Sequence, residues 1–234
     1  MLRPVLREVL SKRSFMAGGK TCQLSEKALD SPISQICFPA LNEGLLKVNE
    51  RMYNHLLYGI AVTKFIYGKK VNPTIALIDW KNPENNQFQF TEEFTVLRSG
   101  GVKTRRPDIV CFVNGIPLTV IEAKRPDGYG NKGPTTDEGI SQTLRNQRND
   151  EIPRLFAYSQ LLLSINGHDG RYRAVSIMNA AHFAKQMHQE QYSSTGDSWW
   201  AKTKTAVKAF LMVLVVNLTF NLFPVHTEKG VDSM

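Results

Sequence analysis

Asp108, Glu122 and Lys124 are the residues of this 234-residue chain whose types and spacing could do chemistry together. Asp108 opens, and Glu122 and Lys124 close, a stretch reading RRPDIVCFVNGIPLTVIEAKRP from Arg105 to Pro126. Val110, Phe112, Leu118, Val120 and Ile121 make both arms of that stretch β-branched, aromatic or aliphatic, and Asn114-Gly115 between them is a strong hairpin signal. With a three-residue loop over 114–116, Val113 pairs with Pro117 and Asp108 falls opposite Glu122. Side chains alternate along a strand, so Lys124 leaves on the same face as Glu122.

Two carboxylates at cross-strand spacing repel, and apolar neighbours leave little water to soften the repulsion. A divalent cation resolves that conflict. Mg²⁺ prefers oxygen ligands and takes one or two carboxylates, with water and substrate phosphate completing its shell. An adjacent ammonium could then hold or deprotonate a water while the cation offsets charge on a phosphodiester. Spacing alone leaves open a plainer reading, in which the three charges solvate the ends of a structural hairpin.

The wider text decides between the two. Asp108, preceded by Pro107 and followed fourteen residues later by Glu122-Ala123-Lys124, resembles the PD-(D/E)xK nuclease signature. RPDIVCFVNGIPLTVIEAKRP, with LNEGLLKVNERMYNHLLYGI and IDWKNPENNQFQFTEEFTV before it and DEIPRLFAYSQLLLSINGHDGRY after it, resembles the amino-terminal nuclease domain of the restriction (R) subunit of type I restriction-modification enzymes. The likeness runs from about Leu24 to Ile177. It implies a cytoplasmic, Mg²⁺-dependent DNA endonuclease domain with Asp108, Glu122 and the Ala123 carbonyl as metal ligands. It further implies that Lys124 positions or activates the attacking water and that Gln142 orients the site. Double-stranded DNA and the modification and specificity subunits are the implied partners, with no membrane. The family pairs that Gln with a Tyr four residues on, and this chain has Asn146 there.

Composition agrees. Lys and Arg number 29 against 21 Asp and Glu, a net charge of +8 that suits a polyanionic partner. Cys22, Cys37 and Cys111 show no metal-binding spacing and read as reduced thiols, Cys111 as a small core residue. The amino terminus has no apolar segment of the kind a secretory signal needs.

The elements that must position the site follow in order. Residues 1–22 read as a flexible lead-in, although Val5, Leu6, Val9 and Leu10 could make a turn or two of amphipathic helix. Ala17-Gly18-Gly19-Lys20-Thr21 is no phosphate-binding loop, since Ser14 stands where the first glycine belongs. The nuclease domain is expected over 23–178 as a central mixed β-sheet flanked by helices, an α/β fold. Leu24–Tyr58 is helical, punctuated by Pro32 and Pro39, with Leu41, Leu45, Val48, Met52 and Leu56 at helical spacing. Glu43 and Glu50 lie on its polar face, where a solvated role is the default and an accessory acid the alternative. Thr74–Trp80 and the run around Phe88–Val96 read as strands, and Asp79 caps the turn between them. A Gly- and Pro-rich loop follows the hairpin; it reads as a solvated connector, with a segment over the site that offers Lys132 to a phosphate as the alternative. A helix then opens with Asp137 and Glu138 and carries Gln142, Asn146, Arg145 and Arg148, the two arginines as either phosphate contacts or an ordinary solvated face. Gln160–Ile165 and Tyr172–Met178 are a closing pair of strands.

Residues 179–234 do not resemble the family, whose R subunit continues into an ATP-driven translocase. No Walker A sequence or DExH box occurs, and Ala209–Val216 is too short an apolar run to span a membrane. The expectation is a nuclease domain without its motor, the apolar run of the tail docking on it as a buried strand or helix, with truncation or a shifted frame as the other explanation. The alternative is a catalytically silent fragment or docking module.

Overall fold

Asn114 and Gly115 both adopt left-handed backbone, with φ of 52° and 76°, and this pair of positive angles is what a two-residue hairpin turn requires. In the computed structural model, which describes residues 1–17, 20–66, 69–125, 135–166 and 170–175, that turn joins the two central strands of the molecule. The 126–134 loop with Lys132, His168, and everything beyond 175, the atypical tail included, lie outside the described residues.

Five strands form the main sheet: β1 (Phe88–Glu92), β2 (Ile109–Val113), β3 (Ile116–Ala123), β4 (Leu161–Ile165) and β5 (Gly170–Ala174). They lie in the order β5-β4-β3-β2-β1. The β3–β4 pair is parallel and the other three pairs are antiparallel, so the sheet is mixed, as expected. The helices are α1 (Arg3–Lys12), α2 (Glu26–Cys37), α3 (Leu45–Tyr58), α4 (Thr136–Asn146) and the short α5 (Pro153–Phe156). The parallel pair needs a crossover connection, and α4 and α5 supply it.

The sheet buries both faces. On one, Ile109, Cys111, Val113 and Ile121 pack with Leu6 and Leu10 of α1, Leu29 and Ile36 of α2, and Val48, Met52 and Leu56 of α3. On the other, Val110, Phe112, Val120 and Leu162 pack with Ile152, Leu155 and Phe156 at α5. Phe94 meets Phe112 edge-on there, with ring centroids 5.3 Å apart. Asn49 of α3, fully buried, ties the two layers: its side-chain amide donates to the carbonyls of Phe156, Ala157 and Ser159 at 3.0, 3.3 and 2.8 Å.

Three expectations need correction. The lead-in is not flexible over residues 3–12: α1 docks on the sheet with Leu6, Val9 and Leu10 buried. The Leu2 amide donates to the Gly115 carbonyl at 2.7 Å, and a Cβ at Gly115 would overlap the Leu2 carbonyl oxygen. This contact with the hairpin turn is long-range, which is why local periodicity underrated the segment. Of Thr74–Trp80, only Thr74–Ile75 pairs, with Ile60–Ala61, although Leu77 and Ile78 are buried. The hairpin loop is two residues long, Val113 pairing with Ile116. Asp79 does cap its turn, accepting from the Asn82 amide at 3.0 Å and the Asn85 side chain at 2.9 Å.

Candidate active site

The shorter loop should have slipped the register by one residue and parted Asp108 from Glu122. A bulge restores it. Phe112 pairs with Pro117 but Cys111 with Thr119, so Leu118 is the extra residue on β3. Beyond the bulge Val110 pairs with Val120 and Ile109 with Ile121, which again sets Asp108, just before β2, across from Glu122. An Asp108 carboxylate oxygen accepts from the Ala123 amide at 2.8 Å, fixing that side chain to the end of β3.

Glu122 shares a face of β3 with Val120 and is fully buried. Its Oε2 accepts from Gln142 Nε2 at 2.7 Å, whereas its Oε1 has no hydrogen-bond partner. Burial pushes the Glu122 carboxyl up to about 8, and the neighbouring Asp108 adds to the rise; Lys124 and Arg145 pull the other way. A buried carboxylate with a free oxygen beside a second carboxylate is a costly arrangement for an isolated chain, and a cation between them would relieve it.

Lys124 follows β3, its backbone held by a 2.7 Å bond to the Ile165 carbonyl. Its Nζ donates to Gln142 Oε1 at 2.9 Å. Gln142 therefore bridges Lys124 and Glu122, and chemistry dictates which way its amide faces. Lysine can only donate, so the amide oxygen must meet it, which turns the NH₂ toward the carboxylate. The helix that carries Gln142 begins where Thr135, as N-cap, accepts from the Glu138 amide, with Asp137 and Glu138 in the first turn.

On the exposed side of α4 runs an open groove of about 500 Å³, lined by Glu138, Ser141, Gln142, Arg145 and Arg148 among others. Arg145 and Arg148 line this groove and make no ion pair with another described residue. Below α4, Arg105 grips Glu151 with two bonds of 2.6 and 2.7 Å, and Arg98 reaches Asp150 at 2.7 Å. These pairs tie the chain after α4 to the ribbon of Val96–Leu97 and Thr104–Arg105. Asn146 is buried, with its side-chain oxygen unpartnered.

The other acidic candidates stand apart. Glu43 pairs with Arg51 at 2.6 Å in solvent and Glu50 is exposed. Burial pushes the Cys111 thiol up to about 12, consistent with an inert core residue. Among the described residues no group of three or more His, Cys, Asp or Glu side chains converges as a metal cage. The two carboxylates of Asp108 and Glu122 are oxygen donors of the kind a hard cation such as Mg²⁺ takes, with waters completing its shell. Two residues that no sequence pattern singled out also touch the site, Gly139 and Ser164. Ser164 pairs with Glu122 across β3 and β4, and its hydroxyl donates to the Thr136 carbonyl at 2.7 Å.

Residues 11–177 match the profile of the family described as type I restriction enzyme R protein N terminus. The chain belongs to that family. Among its relatives is a putative type I restriction enzyme MjaVIIIP endonuclease subunit of Methanocaldococcus jannaschii, 32% identical over 165 residues, which are 70% of this chain and 14% of that protein. The type I restriction enzyme HindI endonuclease subunit of Haemophilus influenzae is 29% identical, over 66% of this chain and 14% of its own length. The EcoprrI endonuclease subunit of Escherichia coli is 28% identical over 73% of this chain and 48% of that protein. The chain thus spans less than half the length of each of these relatives. No helix among the described residues is long and apolar enough to cross a membrane.

Proposed function

We propose that this R-protein amino-terminal domain is a Mg²⁺-dependent endonuclease that hydrolyses phosphodiester bonds of double-stranded DNA. Gln142 carries the reading: it bonds Lys124 and the buried Glu122 at once, beside an unpartnered carboxylate oxygen and Asp108. Asp108, Glu122 and the Ala123 carbonyl would hold the cation, which would supply Lewis-acid stabilisation of the developing phosphorane charge. Lys124 would orient a water and lower the cost of deprotonating it. Gln142 holds Lys124 and Glu122 at fixed separation, and the Asp108–Ala123 bond keeps the first carboxylate from swinging away. Arg145 and Arg148 would take backbone phosphates along the α4 groove and steer the strand without reading its sequence. Family membership supports assembly with modification and specificity subunits in the cytoplasm, where sequence choice would reside.

The test is nicking of supercoiled plasmid across a Mg²⁺ or Mn²⁺ titration, for the wild-type chain and Lys124→Ala, alone and with modification, specificity and motor-bearing R subunits. Metal-dependent nicking by wild type that disappears in Lys124→Ala supports the nuclease. Cation binding without cleavage in any combination would point instead to a catalytically silent docking module. No cation binding at all removes Asp108 and Glu122 as ligands.

A further inference from the structure

Gly139 sits inside α4, one turn before Gln142, and is buried. Glycine in a helix interior costs about 1 kcal/mol relative to alanine, so its presence there calls for a packing reason. The reason lies directly beneath it. A Cβ at Gly139 would overlap the Ser164 hydroxyl and would stand 3.1 Å from Ser164 Cβ and 3.3 Å from Glu122 Cβ. Glu122 and Ser164 are cross-strand partners on β3 and β4, so the bare backbone of Gly139 rests on that pair. Ser164 has little freedom to retreat, because its hydroxyl is engaged by the Thr136 carbonyl of the same helix at 2.7 Å.

We propose that Gly139 is a positioning residue: its missing side chain sets the depth at which α4 seats on the Glu122–Ser164 pair, and that depth brings Gln142 within reach of both Glu122 and Lys124. The Gln142 bonds, at 2.7 and 2.9 Å, are already of ordinary length, so lifting the helix by about 1 Å takes both beyond hydrogen-bond range. Misplacement of that size in a catalytic array costs about 100-fold in rate. The seating stands on the packing alone; its consequence for cleavage rests on the proposed nuclease function.

The experiment compares wild type, Gly139→Ala, Ser164→Gly and the double variant Gly139→Ala/Ser164→Gly. Two readouts are taken: the ¹⁵N–¹H signal of the Gln142 side-chain amide by NMR, and metal-dependent plasmid nicking with the full set of subunits. In Gly139→Ala the Gln142 amide signal should move to the position of a solvated side chain, and nicking should fall by about 100-fold with the fold intact by circular dichroism. Removing the Ser164 side chain opens room for the new methyl, so the double variant should regain the wild-type amide signal and nick within about tenfold of Ser164→Gly. A purely helix-forming role for the position predicts the opposite, a more stable Gly139→Ala with full activity. Gly139→Ala with an unmoved Gln142 signal, or a folded double variant that fails to regain it, overturns the proposal. If Gly139→Ala does not fold, the double variant's amide signal decides. Should wild type itself not nick while the amide signal still moves and is rescued, the seat stands and the nuclease reading falls.

Discussion

The two faces of the central sheet are built from the same strands to opposite ends. The face under α1, α2 and α3 is a broad apolar layer, to which β3 contributes Ile121 and β2 contributes Ile109, Cys111 and Val113. The face under α4 and α5 has a smaller apolar cluster, centred on Phe112, Val120 and Phe156, and it gives way at the strand ends to Glu122, Asp108 and Lys124. One residue along β3 separates Ile121 from Glu122, and the pleat sends them to different layers. The large core supplies the stability that lets the small one keep a buried, half-partnered carboxylate.

The sharpest way to break this division is at Glu122. Glu122→Gln should abolish metal-dependent nicking, a loss of at least about 100-fold, measured on supercoiled plasmid. The same change should raise the melting temperature of the metal-free protein. In the folded, metal-free protein Glu122 must either keep a proton that the unfolded chain releases or, above pH about 8, carry a buried charge next to Asp108; the amide does neither and can donate to that carboxylate. A drop in melting temperature would show that Glu122 contributes to the fold as well.

Leu10→Ala, on the opposite face, should do the reverse. Leu10 is fully buried between α1 and the sheet, so truncation should cost about 3 kcal/mol in urea unfolding. Nicking per folded molecule should be unchanged. A cost under about 0.5 kcal/mol would mean that α1 is not docked in solution.

A smaller effect is expected in the α4 groove. Arg148→Ala should weaken DNA binding for all sequences alike and reduce the slope of log K against log salt by about 1, measured by fluorescence anisotropy. An unchanged slope would place the DNA elsewhere.

The smallest effect belongs to the brace behind α4. The Arg105 guanidinium, bound in two places, holds the Glu151 carboxyl below its usual range. The folded state therefore releases this proton more readily than the unfolded chain. Its stabilisation is fully present above the ordinary glutamate value of 4.5 and is lost as pH falls through the lower folded value. Glu151→Gln should lower the melting temperature slightly at neutral pH and flatten its decline below pH about 4.5. An acid limb with unchanged slope would assign that decline to other carboxylates.

Much of the site was legible because its signals are local. Asn114-Gly115 marked the turn, the apolar runs marked the strands, and the short motif with Gln142 downstream marked the residues that the structure brings together. The facing of Asp108 and Glu122 followed from an assumed three-residue loop. The molecule reaches it by a two-residue loop and a bulge at Leu118, two one-residue changes that cancel. Single-residue register is decided by packing against the layers above and below, and a bulge has little local signature. The same limit explains α1, whose ten residues are stabilised by contacts with the sheet and with Gly115, more than a hundred positions away.

By itself, then, the sequence determined the family, the mixed α/β sheet and the identities of the paired acids, lysine and glutamine, since residue type and short-range spacing are written along the chain. Only the tertiary structure decided that Glu122 is fully buried, that Gln142 bridges it to Lys124, and that Gly139 rests on the Glu122–Ser164 pair. Burial, hydrogen-bond partners and helix seating depend on which surfaces meet, and those are fixed only when β3, β4 and α4 close on one another.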